Sequence, residues 1–154
     1  GDMALKEVKK WINFRHRLVP YLYHTACQTH QSGIPMIRPL VMEYPKDPIA
    51  KIQNLSYMLG DALLISPGFD RDEYELYLPE GRWQDIESKE VYEGMTFVHI
   101  ENKAFADGGT SLRVFQKEGT SIPLFAQKEV LHVPAQLWKQ EDLEFMTFQK
   151  KDVD

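Results

Sequence analysis

Several side chains in this 154-residue chain have types and spacings that could support chemistry. Asp61 directly follows Gly60 and precedes an apolar run. As a general acid it would need a raised pKa and a second reacting group beside it. As a turn residue it would hydrogen-bond a neighbouring backbone group, which is ordinary for Asp after Gly. The turn role is the expectation. His24, Cys27 and His30 are spaced by three. On a helix each step of three leaves successive side chains roughly 60° apart, so the group could hold zinc or pair a thiol with an imidazole. Such sites need a fourth ligand or an orienting carboxylate, and the sequence points to neither. The expectation is a cysteine buried as a small hydrophobe between two partly exposed histidines. Asp70, Asp72, Glu73 and Glu75 are acidic, but they lack the alternating ligands and mid-loop glycine of a calcium loop. A solvated loop flanking a strand is expected instead.

Aromatic side chains form another group. Trp11, Trp83 and Trp138, with Tyr21, Tyr23, Tyr57, Tyr77 and Tyr92, could stack on sugar rings. Core packing is expected for most of them, because aromatics bury large areas. Arg15, Arg17 and Arg38 are separated by apolar residues and are expected to pair with carboxylates such as Glu43, tying an N-terminal helix to the strands after it.

The elements that position these groups are set by periodicity. Asp2 is suited to cap a helix N-terminus. Val8, Trp11, Ile12, Leu18, Val19, Leu22 and Ala26 recur at helical spacing and mark one apolar face. Pro20 lacks an amide hydrogen and should kink or split this helix, which runs over about residues 3–31. Gly33 suits the left-handed position after the last turn, and Pro35 prevents continuation. Residues 36–44 then read as a strand with Pro39 at an edge or a bend. Asp47 and Pro48 signal a turn, and residues 48–54 fit a short helical turn. The run 62–66 is apolar throughout, as in a strand buried on both faces. Residues 74–78 alternate and should be half-buried. Further strands are expected at 83–86, 90–92, 95–100, 112–116, 121–125, 129–133 and 143–149, with loops at 79–81 and 106–110. Short strands between Gly and Pro turns predict an antiparallel sandwich or barrel.

Composition narrows the function classes. A hydrophobic fraction of 43% with mixed charges fits a globular domain rather than a disordered chain. A net charge of -5 argues against a nucleic-acid surface, which needs clustered Lys and Arg. No apolar run approaches the roughly 20 residues of a membrane helix. Cys27 is the single cysteine, which excludes an intrachain disulfide. No signal peptide is visible before the first helix, so a cytoplasmic location is expected.

Five blocks, in order, carry a resemblance to a known family: residues 15–23 (RHRLVPYLY), 33–40 (GIPMIRPL), 57–67 (YMLGDALLISP), 77–83 (YLPEGRW) and 114–124 (VFQKEGTSIPL). Together they resemble the region of family 31 glycoside hydrolases where the catalytic barrel ends and the following β-sandwich begins. The resemblance spans residues 8 to about 125. The stretch 36–48 is similar to the bacterial α-xylosidase type, and α-glucosidases share much of it. A (β/α)₈ barrel takes roughly 250 residues, more than this chain has. The resemblance therefore implies a mostly β fold: a long proline-kinked α-helix that is the tail of a barrel (residues 1–33), a proximal C-terminal sandwich (34–127), and the end of that sandwich or the start of a further β domain (128–154). It implies a retaining α-glycosidase parent that forms a glycosyl–aspartate intermediate without a cofactor. Such catalysis needs two carboxyl groups about 5 Å apart, and the family's pair lies on barrel strands absent from these residues. No catalytic, substrate-binding or metal residue is thus expected here. The expected partners are the rest of a parent chain, an oligosaccharide held by the barrel, and further copies of the chain if the apolar face of the helix, with Val8, Trp11, Ile12 and Leu18, stays uncovered. The rival expectation is a free-standing carbohydrate-binding or protein-interaction module.

Overall fold

A computed structural model describes residues 2–68, 73–101, 112–126 and 138–150, with side chains from Leu5 onward. The N-terminal helical stretch is split in two, α1 (Asp2–Arg17) and α2 (Val19–Ser32), and the break falls at Leu18. Pro20 causes it. The proline lies in the first turn of α2, where its missing amide hydrogen costs nothing. Hydrogen bonds still cross the break, from Leu18 N to Phe14 O at 2.9 Å and from Leu22 N to Leu18 O at 3.0 Å. Asp2 is itself helical, and its side chain lies outside the described residues, as does any cap it makes. Gly33 closes α2 with φ 76°, its amide donating to Thr29 O.

The expected strand at 36–44 is shorter. Only Ile37–Pro39 (β1) is extended, and Leu40–Glu43 forms a helical turn (α3). The reason is positional. β1 is the edge of its sheet, Pro39 cannot donate a ladder hydrogen bond, and the turn drives Leu40 fully into the core. Asp47 then caps the next turn, accepting from the amides of Ile49 at 2.8 Å and Ala50 at 3.1 Å.

Among the described residues the remaining strands are β2 (Tyr57–Leu59), β3 (Leu63–Ser66), β4 (Glu73–Leu78), β5 (Arg82–Asp85), β6 (Val91–Glu93), β7 (Thr96–Glu101), β8 (Arg113–Lys117), β9 (Thr120–Phe125) and β10 (Leu143–Phe148). The expected strands agree to within a residue or two. The loop expected at 106–110 and the strand expected at 129–133 lie outside the described residues. All pairings are antiparallel. One sheet has six strands in the order β1-β2-β3-β8-β5-β6, and β4-β7 and β10-β9 form two smaller pairs. β10 pairs β9 along its length, from Leu143 opposite Phe125 to Phe148 opposite Thr120.

Side-chain alternation divides the interior in two. In β3 and β8, Leu64 and Phe115 point into one core with Tyr74, Leu76 and Leu78 of β4, Val98 and Ile100 of β7, and Trp83 of β5. Leu63, Ile65 and Val114 point the other way, into a core with Leu18 and Tyr21 of the helical segment and Ile122 and Leu124 of β9. β3 is therefore buried on both faces, as its unbroken apolar run predicts. The fold is a β-sandwich behind an N-terminal helical segment. The six-stranded sheet is its central layer, with the β4–β7 pair on one side and the helices with β9 and β10 on the other.

Candidate functional site

Asp61 sits in the tight β2–β3 connection. Its side chain is 67% exposed and accepts from Arg38 Nη2 at 2.6 Å, where backbone capping was expected. Arg38 is buried and reaches Glu43 as well, Nε to Oε1 at 3.1 Å. The predicted Arg38–Glu43 pair is thus present, with Asp61 as a second carboxylate on the same guanidinium. Arg17 joins the helix to the β10–β9 pair, donating to Phe125 O at 2.9 Å and pairing with Glu144. Arg15 instead lines a groove beneath α1.

His24, Cys27 and His30 lie on α2, and Cys27 is exposed, which corrects the expected burial of the cysteine. The stripe faces outward because Tyr21 and Thr25 are the residues that α2 turns toward the protein. Among the described residues no group of three or more His, Cys, Asp or Glu is placed to hold a metal ion. Asp70 and Asp72 lie outside the described residues. Glu73 and Glu75 belong to β4 itself and flank His99 across the ladder, with Glu75 Oε1 2.7 Å from its Nδ1. That hydrogen bond, with the charges of Glu75, Glu73 and Glu101, raises the pKa of the imidazole above its ordinary value.

The aromatic side chains are mostly packed. Trp83 is fully buried and donates its indole hydrogen to Pro79 O at 2.9 Å, so it has no free face for a sugar. Tyr77 is also fully buried and donates to Asp47 Oδ2 at 2.6 Å. Burial first, and then the Asp47 carboxylate, pushes this phenol up to about 12. Tyr21 OH donates to Leu59 O at 2.7 Å and accepts from Ala62 N at 3.1 Å, pinning α2 to the β2–β3 turn. Trp138 packs edge-on against Phe125 and Tyr23.

Among the described residues an apolar groove, about 720 Å³ in volume, lies open between α1 and the six-stranded sheet. Its helix side carries Val8, Trp11 and Ile12; its sheet side carries Ile37, Tyr57 and Ile65. Val8 is 43% exposed and Ile12 48%. Leu18, expected in the same open patch, is buried instead, because the helix break turns it onto Leu63 and Val114. Trp11 is edge-on to Phe14 at 5.9 Å, and among the described residues its buried indole nitrogen has no hydrogen-bond partner. The helix side of this groove was legible from helical spacing. The sheet side was not, since periodicity shows that β3 is buried twice but not what each face meets.

Comparisons place the chain among known proteins. The model of the glycosyl hydrolase family 31 C-terminal domain matches residues 33–129, more than half of the chain. Human neutral alpha-glucosidase AB is 35% identical over 113 residues, covering 71% of this chain and 11% of that protein. Alpha-glucosidase 2 of Bacillus thermoamyloliquefaciens is 32% identical over 87% of this chain, and the match takes up 17% of that protein. In three dimensions, the cycloalternan-forming enzyme of Listeria monocytogenes superposes with a TM-score of 0.74 at 31% identity, covering 91% of this chain and 13% of that one. The chain thus spans less than a fifth of the relatives it matches. With the five sequence blocks in place and the sandwich formed, the chain belongs to glycoside hydrolase family 31, and what it carries of that family is the C-terminal domain.

Proposed function

We propose that this chain is the non-catalytic C-terminal part of a retaining α-glycosidase and that it supports the catalytic barrel structurally. The observation that carries this reading is the family match over residues 33–129, a stretch whose best-placed carboxylates are committed to structural pairings. Asp61 and Glu43 share Arg38. Asp47 holds Tyr77 and a turn. Asp85 is buried and caps the β5–β6 turn at the amides of Glu87 and Ser88. Retaining hydrolysis needs a carboxyl pair about 5 Å apart flanking an open substrate cleft. None of these groups is free for such work.

In this reading residues 1–33 are the last helical segment of the barrel, 34–127 the proximal sandwich, and 128–154 the end of that sandwich or the beginning of another β domain. The parent enzyme acts on terminal α-linked glycosyl residues. The names of the relatives favour glucosyl over xylosyl substrates. The carbohydrate-binding alternative is weakened by Trp83 and Tyr77, which are core residues rather than exposed platforms. Among the described residues no helix is long and apolar enough to cross a membrane.

The test is incubation of this chain with aryl α-glucoside and aryl α-xyloside. The expected result is no turnover. Hydrolysis that disappears in the Asp61→Asn variant would overturn the proposal.

A further inference from the structure

We draw no further inference here: the strongest candidate, the polar hollow beside α2 at the β2–β3 connection that Gln28, Gln31, Arg38 and Asp61 line, carries nothing because its buried guanidinium already pairs with Asp61 and Glu43 and nothing in the structure shows what would fill it.

Discussion

The two faces of the six-stranded sheet use the same strands and reach opposite outcomes. On one face, Leu64, Phe115 and Trp83 meet the β4–β7 pair, and all three are fully buried. On the other, Leu63, Ile65 and Val114 meet the helices, where Leu18 and Tyr21 close the core at one end but Val8 and Ile12 remain about half exposed at the other. The first face is finished within the chain. The second is finished only near the helix break and opens into a groove along α1. The lesson is that apolar patterning shows which residues seek burial, while the partner that buries them can belong to another part of the polypeptide.

The sharpest way to break this comparison is truncation on each face. Trp83→Ala should destabilise the chain by about 3–5 kcal/mol, since it empties a fully buried site and removes the hydrogen bond to Pro79 O. Ile12→Ala should change stability by less than about 0.5 kcal/mol, as at any surface position. Urea unfolding of both variants measures the contrast. Comparable losses would mean that the α1 face is as complete as the other.

A second substitution probes the finished end of the helical face. Gly60 has φ 61°, and a Cβ there would fall 2.3 Å from Tyr21 Oη and 2.9 Å from Thr25 Oγ1. Gly60→Ala therefore adds left-handed strain and expels the hydroxyl that bridges Leu59 O and Ala62 N. The expected cost is about 2–4 kcal/mol in the midpoint-derived unfolding free energy. A neutral outcome would show that Tyr21 does not hold α2 to the sheet.

Much of this architecture was legible in the sequence. Pro20 marked the helix break and Gly33 its end, because each residue has a backbone constraint that acts locally. The run at 62–66 announced a doubly buried strand. The family blocks placed the sandwich. What local patterning could not show were long-range choices. Asp61 looked like a turn cap, but Arg38, distant in sequence, arrives to claim it. Leu40 looked like strand, but Pro39 at a sheet edge frees the next residues to coil inward. Cys27 looked like core, but α2 needs only a narrow buried stripe, and Tyr21 and Thr25 supply it.

On the finished face the partly buried Tyr77–Asp47 bond gives a pH signature. Some desolvation opposes ionisation of Asp47, but hydrogen bonds from Tyr77, Ala50 and Ile49 outweigh it and lower its pKa below 3.8. A carboxylate depressed in the folded state adds stability above its unfolded pKa and loses it as pH falls through the folded value. Asp47→Asn should cost about 1–3 kcal/mol at neutral pH, because Tyr77 then lacks a full acceptor. The gap between variant and wild type should close in acid. A gap that is constant with pH would assign the loss to packing alone.

The smallest effect is expected where the finished face meets water. His99 lies on the outer side of the β4–β7 pair, hydrogen-bonded to Glu75 and near Glu73 and Glu101. Its pKa is raised, so the imidazolium is favoured in the folded state. A group raised on folding contributes stability that is fully present below its unfolded pKa, here 6.5, and that disappears as pH rises through the folded value. His99→Gln should therefore remove a shallow decline in stability on the alkaline side of 6.5 and leave acid behaviour otherwise alone. Because the pair is exposed, salt should flatten the same decline in the wild type. Thermal unfolding of both proteins across this pH range, with and without added salt, makes the measurement. A wild-type slope that survives both salt and His99→Gln would place the titrating group elsewhere and leave the β4–β7 surface electrostatically silent.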